Sequence, residues 1–589
     1  MIAITSRHSF CLIYLVVASI CLFLDPRRAG TNAHSVNTPE EPDPFGIRDK
    51  TNGRWSRIVK GHTGVAAMQI SVVSDKYALI LDKVENNPLK INGHRAWAAL
   101  YNFETDAVTP IDLKSNSFCA GGSFLGNGTL INFGGNPVGR PKPGDFGPTN
   151  GLQSIRFYTP CDDGKCTVAE YDSIKLTSAR WYATAARLAD GTIMIVGGSK
   201  RGAFRNSAEI NNPTIEYFPP RQLPFATDSK KTQIHSPFLD RTLVANLFPI
   251  VITLPKPGLV FMAANRDAII YDYTTNRETR LPRIPNGVRV TYPMTGGGIL
   301  LPLSPHNDYQ PEVLICGGSD LNDALETKLI KATAPATTQC VRMVLTEAGI
   351  KEGWQVEHMP QGRIMPDMIT MPDGTILIVN GAQTGVGGFG SLEKMTGNSN
   401  AENPSFTPVL YHPDAPAGKR FSTEGLPTTN IARLYHSVAT LTPSGQVMLA
   451  GSNPNPDVTT NNYRTEYRVE WLSPPYIKDP HRPTISSLPK IANYKEKIKV
   501  KLDDMDIKLA EQHVEAVLLD FGFVTHSTHM NSRLVKLITK FDSPANKLKV
   551  VMPPSPEIYP PGYAWLFVLV NGIPSPGKRI MVGSGKLLI

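Results

Sequence analysis

A small turn closing in glycine, followed by a β-branched strand that often ends in Gly-Gly, recurs along this chain. The copies are GTLINFGGN from Gly128, GTIMIVGGS from Gly191, PGLVFMAAN from Pro257, EVLICGGSD from Glu312, GTILIVNGA from Gly374 and GQVMLAGSN from Gly445. DKYALILDK, from Asp75, is a degenerate first member. Seven such strands, one roughly every sixty residues, match the period of a β-propeller, in which each repeat is one four-stranded blade. A β-sandwich of the same turn density would leave the period unexplained. The expected fold class is all-β, with a seven-bladed β-propeller as the main body.

The pattern stops near Trp471-Leu472-Ser473-Pro474-Pro475-Tyr476. Pro-rich sequence follows (KDPHRPTISSLPK, 478–490), then strands of alternating polarity without the Gly-Gly signature. Residues 31–474 are read as the propeller and 475–589 as a separate C-terminal Ig-like β-sandwich, with YAWLFVLVNG (563–572) as its best buried strand. In YKEKIKVKLDD (494–504) the lysines alternate with apolar residues, as on the wet face of a strand that guards a sheet edge. The formal charge of +9 is mild for 589 residues. No basic cluster is interleaved with aromatics, so a nucleic-acid partner is not expected.

Residues 1–30 hold the apolar run FCLIYLVVASICLFL (10–24), short for a membrane span and suited to a secretory signal peptide. Two arginines on its far flank keep an uncleaved signal anchor open. Either way the chain is expected to be exported, secreted or held at the cell wall or membrane, where disulfides persist. Asn127-Gly128-Thr129 is the one usable glycosylation sequon. Two of the seven cysteines lie in the apolar run, leaving Cys119, Cys161, Cys166, Cys316 and Cys340, and five cannot all pair. Cys161 and Cys166 in CDDGKC can close a hairpin tip. Cys316 and Cys340 fall in one blade, on strands that can be neighbours. Spacing does not fix connectivity, but on this assignment Cys119 is left over, either as a buried inert thiol or with another use.

Registering the blades on their turn glycines gives that cysteine company. Nine residues before Gly128 is Cys119, nine before Gly191 is Tyr182, and nine before Gly445 is His436, with Tyr435 one residue earlier. The strand before each such turn should be the innermost, so residues at one repeat position ring one level of the central channel. Met365 holds the same place in another blade and is plain packing material. Successive residues of a regular strand face opposite ways, so Tyr435 and His436 both point inward only at a bulge or strand end. A lone Tyr or His on such a strand is usually a satisfied core residue. The coincidence of Cys, Tyr and His on one rung argues for more.

These residues stand in long, ordered matches to a known family. NSFCAGGSFLGNGTL, RWYATAARLADGT, RIMPDMITMPDGTILIVNGA, RLYHSVATL and FVTHSTHMNSR together resemble the copper radical oxidases, most closely the fungal glyoxal oxidases, with galactose oxidase more distant. The resemblance covers nearly the whole mature chain and implies a kelch-like propeller. It implies that the Cys119 sulfur is bonded to the ring of Tyr182, forming a protein-derived radical cofactor beside one copper ion. The copper ligands it implies are Tyr182, Tyr435, His436 and, from a loop of the last domain entering the channel, His526. His529 is the competing assignment for the last of these. It implies oxidation of small aldehydes of the glyoxal and methylglyoxal type to carboxylic acids, with dioxygen reduced to hydrogen peroxide. Tyr435 would be the base, and the Tyr182 radical would take hydrogen from carbon.

The ligand set makes chemical sense alone: two imidazoles and two phenolic oxygens suit Cu(II) with one position open. Phenol ligates poorly while protonated, and a bound cation favours the phenolate. Zinc cannot store electrons, and its usual sites use His, Cys or carboxylates. The expected partners are a small aldehyde and dioxygen, met by a monomer, with peroxide-consuming enzymes downstream. Two other functions compete. One keeps the site and takes primary alcohols or galactose; the aromatic that stacks on the linked tyrosine in galactose oxidase has no counterpart identified in this sequence. The other is a propeller that only binds wall polymers or partners, since a fold does not fix a function.

Overall fold

The computed structural model describes residues 54–137, 149–503, 512–542 and 547–587. The N-terminal apolar run, with Cys11 and Cys21, lies outside them. Among the described residues no helix is long and apolar enough to cross a membrane. Seven antiparallel blades follow one another along the chain, six of them four-stranded sheets and the first a sheet of four strands extended by two more, and each repeat strand of the sequence is the second strand of one blade: Tyr77–Leu81, Leu130–Phe133, Ile193–Val196, Leu259–Ala264, Glu312–Gly317, Ile376–Val379 and Val447–Gly451. The recurring glycine is needed because the turn takes a left-handed residue, as at Gly191 (φ 80°) and Gly445 (φ 87°). Ser56–His62 supplies the outer strand of the seventh blade by pairing antiparallel with Arg468–Ser473, so the first described strand closes the ring.

Buried arginines fix the segments that enter the inner strands. Arg180 donates through Nη1 to the Gly197 carbonyl at 2.7 Å, and Arg363 and Arg433 do the same to Asn380 and Gly451 at 2.8 Å. In each blade that carbonyl ends or follows the second strand. Two of these arginines also meet a buried carboxylate, Arg180 with Glu216 at 2.5 Å and Arg433 with Glu470 at 2.7 Å. Such pairs add little over a good apolar core, but losing one partner strands a buried charge at a cost of about 3–5 kcal/mol. They therefore hold position more than they add stability. The two disulfides join Cys161 to Cys166 and Cys316 to Cys340, the latter directly opposed on neighbouring strands, and Cys119 stays free and buried.

The C-terminal part is an Ig-like sandwich. Its long strand Arg533–Asp542 pairs first with Val514–Asp520 and then with Lys547–Val551, passing from one layer to the other. Gly562–Val570 is buried along almost its whole length, as expected. Lys497–Leu502 alternates as read, lysines out and Ile498, Val500 and Leu502 in. It is no edge strand, however: Ile485–Ser487 and Lys547–Val551 flank it. Alternation reports a solvated face, which interior strands of a one-sided sheet share with edges.

A hairpin of this sandwich enters the propeller. Phe523–Thr525 pairs with the innermost strand of the first blade, Gln69–Val72, through Gln69 opposite Thr525 and Ile70 opposite Val524. Thr528–Met530 returns beside it. The hairpin is tied from several sides: Ser71 Oγ donates to the Gly522 carbonyl at 3.0 Å, and Asn531 Nδ2 donates to Ser123 Oγ at 2.8 Å. His529 Nε2 lies 3.0 Å from Asp367 Oδ1 on the sixth blade.

Candidate metal centre

The shared repeat position is also a shared backbone conformation. Cys119 (φ 56°), Tyr182 (φ 61°), Met365 (φ 56°) and His436 (φ 65°) all lie in the left-handed region, where a non-glycine residue is uncommon. A left-handed residue at the entrance to a strand breaks the alternation, so it and its predecessor can face the same space. Tyr435 and His436 show this, their ring centroids 3.9 Å apart and both residues buried. The rungs are also joined blade to blade. The Tyr182 amide donates to the Cys119 carbonyl at 3.2 Å, and the Phe248 amide to the Tyr182 carbonyl at 2.9 Å.

His526 arrives from the other direction. It and Ser527 form the two-residue tip of the entering hairpin, both with positive φ (48° and 64°), the pattern of a type I′ turn. That turn favours Asn-Gly, so a histidine at its first central position points to a role other than turning the chain. The hairpin delivers it against Tyr182 (ring centroids 5.0 Å), Tyr435 (5.2 Å) and His436 (5.0 Å).

Donor atoms converge here. Cys119 Sγ lies 3.2 Å from His526 Nε2 and 3.8 Å from His436 Nε2. The three ligand atoms fall within 4.8 Å of one another, and all three residues are buried. Each imidazole has its other nitrogen occupied. His436 Nδ1 donates to the Asn453 carbonyl at 3.0 Å. His526 Nδ1 donates to Thr525 Oγ1 at 2.6 Å, because the Thr525 hydroxyl spends its own hydrogen on the Met68 carbonyl. Both Nε2 lone pairs are thereby left for a metal. Burial keeps the rings neutral, pushing His526 down to about 3 and His436 well below its usual range, with Lys83 adding to both. Burial also raises the Cys119 thiol and the Tyr435 phenol well above their ordinary values. A cation reverses the last effect, since it favours the anionic oxygen.

The five residues singled out in the sequence thus stand around one buried space, while His529 is turned to Asp367 instead. Several neighbours were missed. Trp181 stacks on Tyr182 at 3.6 Å and 14°, Tyr292 meets the same ring edge-on at 4.6 Å, and Phe248 lies 4.7 Å away. Phe118 and Phe389 flank His436 at 5.7 and 6.1 Å. Trp181 and Phe118 each precede a rung residue, as Tyr435 does, so carrying that one-residue offset to the other blades would have found both.

Fold and cluster define an oxidase of galactose oxidase-like architecture, whose last part, residues 482–582, matches the galactose oxidase-like early set domain. Residues 82–476 match the glyoxal oxidase N-terminus family. The chain belongs to the glyoxal oxidase family, a group of copper radical oxidases. It is 32% identical over 564 residues to aldehyde oxidase GLOX of Vitis pseudoreticulata, covering 90% of this chain and 97% of that protein. It is 33% identical over 514 residues to aldehyde oxidase GLOX1 of Arabidopsis thaliana, covering 84% and 76%. Galactose oxidase of Gibberella zeae is 24% identical over 544 residues, covering 90% and 70%. Among solved structures, a fungal alcohol oxidase in complex with copper superimposes with a TM-score of 0.66 at 18% identity, covering 90% of this chain and all of that one, which speaks for the fold.

Proposed function

We propose that this protein is an exported copper radical oxidase that converts small aldehydes, of the glyoxal and methylglyoxal type, to carboxylic acids and reduces dioxygen to hydrogen peroxide. One observation carries the reading. Two neutral, buried imidazoles, one from the propeller and one from the sandwich hairpin, turn their Nε2 atoms to one point beside Cys119, Tyr182 and Tyr435. That donor set fits a borderline metal such as copper. His436 and His526 would hold it, joined by the oxygens of Tyr182 and Tyr435. Copper bound there supplies a one-electron acceptor and an open position for substrate.

The chain's residues supply the rest. Tyr435 takes the proton of a hydroxyl on the hydrated aldehyde. Tyr182, its ring joined to the Cys119 sulfur and oxidised to the radical, removes the hydrogen from carbon. The hydrate loses two protons and two electrons and becomes the acid; dioxygen takes up both and leaves as peroxide. The stacked indole of Trp181 and the rings of Phe248 and Tyr292 keep water from the oxidised ring. Export is supported by the two disulfides, which persist in an oxidising space.

Aldehydes are favoured because the two plant relatives at 32% and 33% identity are named aldehyde oxidases. Peroxide release by the copper-loaded enzyme, measured across glyoxal, methylglyoxal, primary alcohols and galactose, tests this choice. We expect kcat/KM for the dicarbonyls to exceed that for galactose by at least about 100-fold, a gap of roughly 2.7 kcal/mol in transition-state binding. Equal or higher values for galactose or alcohols would reassign the substrate. A second reading is favoured by the closeness of Cys119 Sγ to the two imidazole nitrogens. There the thiolate is itself a third ligand, as in zinc or electron-transfer copper sites, and no thioether forms.

A further inference from the structure

Lys83 and Glu85, in LDKVENN just after the second strand of the first blade, are buried, with side chains 4% and 0% exposed. Their contacts lead to the site. The Asn453 side-chain nitrogen donates to both Glu85 oxygens, at 3.1 and 2.8 Å. Its side-chain oxygen accepts from Asn455 Nδ2 and Thr465 Oγ1, each at 3.0 Å, so no polar atom of that side chain is idle. Asn453 in turn holds both site residues of the seventh blade: its amide donates to the Tyr435 carbonyl at 2.9 Å, and its carbonyl accepts from His436 Nδ1 at 3.0 Å. Lys83 Nζ lies 3.5 Å from Glu85 and donates to the Asn455 carbonyl at 2.5 Å, pinning the same segment two residues on. The ammonium also sits 5.6 Å from the Phe118 ring and 5.0 Å from the Phe389 ring, the two that flank His436.

Neighbouring Asp82 belongs to the same buried group: burial and then Glu85 push its carboxyl well above the usual range, Lys83 acts in the opposite direction, and it accepts from Asn87 Nδ2 at 2.8 Å. A buried ion pair adds little to stability over an apolar replacement, so its presence calls for another use. We propose that Lys83 and Glu85 are positioning residues: from the first blade they clamp the Asn453–Asn455 segment of the seventh and so fix the imidazole of His436 for copper. This rests on the reading of His436 as a copper ligand.

The test uses the full chain, stripped of metal, with Cu(II) affinity read by competition with a chromophoric chelator and thermal midpoint read without metal. Lys83→Met should weaken copper binding by about 10- to 100-fold, the range for losing an outer partner of a ligating histidine. It should also lower the midpoint, because Glu85 is left unpaired. Lys83→Met/Glu85→Gln removes that stranded charge and should regain the midpoint while copper binding stays weak, with an altered Cu(II) EPR hyperfine splitting. A purely structural pair would instead regain affinity together with stability, and that result overturns the proposal, as does wild-type affinity in both variants. Should the single variant fail to fold, the double variant decides. His436→Ala separates the two claims. If it abolishes tight copper binding while the Lys83 variants do not weaken it, only the clamp is wrong; if it leaves binding intact, the ligand assignment fails first.

Discussion

Tyr182→Phe should abolish turnover and leave the fold almost untouched. The phenyl ring keeps its place under Trp181 and against Phe248 and Tyr292, whose centroids lie 3.6, 4.7 and 4.6 Å away, so the packing of the inner ring survives. Only the hydroxyl is lost, and with it the oxygen assigned to accept hydrogen from substrate. A group that acts only in the transition state shows its loss in kcat and kcat/KM alike, and removing one that carries the chemistry costs about four orders of magnitude or more. Peroxide release by the variant should therefore fall to background, with a thermal midpoint close to that of the unaltered protein. Residual activity above about a tenth of the unaltered rate, little more than 1 kcal/mol of barrier, would remove Tyr182 from the mechanism.

His526→Gly should cost the protein its copper. Glycine is the informative choice because His526 has φ 48° at the hairpin tip, where another L residue would add strain to the loss of the ligand. The hairpin keeps its pairing with Gln69–Val72 and the bond from Thr525 Oγ1 to the Met68 carbonyl, so the tip should stay in the channel. Copper affinity should drop by more than the roughly 10- to 100-fold that follows loss of an outer partner. Substitution of His529 instead should act through its hydrogen bond with Asp367, loosening the hairpin without removing a donor to the metal. Equal copper loss from both variants would mean that the hairpin's seating, and not the His526 nitrogen, is what matters.

The parts legible in the sequence are those that recur. Five glycine turns, at Gly128, Gly191, Gly258, Gly374 and Gly445, set the period, and two copies that lack the glycine, at Asp75 and Glu312, complete the seven blades. The rung of Cys119, Tyr182 and His436 followed from the same register. What the sequence hid was non-local or conformational. Ser56–His62 is not one of the recurring copies, and its partner Arg468–Ser473 lies at the far end of the propeller, so nothing local marks it as the closing strand. Strand alternation argued against Tyr435 and His436 sharing a face; the left-handed φ at His436 resolves it, and no residue type announces that angle outside glycine and asparagine. Trp181 is not singled out in the sequence, because the one-residue offset is marked there only at Tyr435 and not carried to the other blades. Nothing in the sequence singles out Lys83 and Glu85, since their burial depends on Asn453 and Asn455, which are hundreds of residues away.

The covalent link between positions 119 and 182 carries the whole account. Forming it joins the Cys119 sulfur to a ring carbon of Tyr182, with loss of the thiol and ring hydrogens and reduction of dioxygen to peroxide. Proteolytic digestion of copper-loaded, oxygen-exposed protein, followed by mass mapping, should give the Cys119 and Tyr182 peptides as one species, lighter than their sum by two hydrogens and unaffected by reductant. Recovery of the two peptides separately, with an alkylatable thiol at Cys119, would contradict it and leave the sulfur as a plain ligand or an inert core atom.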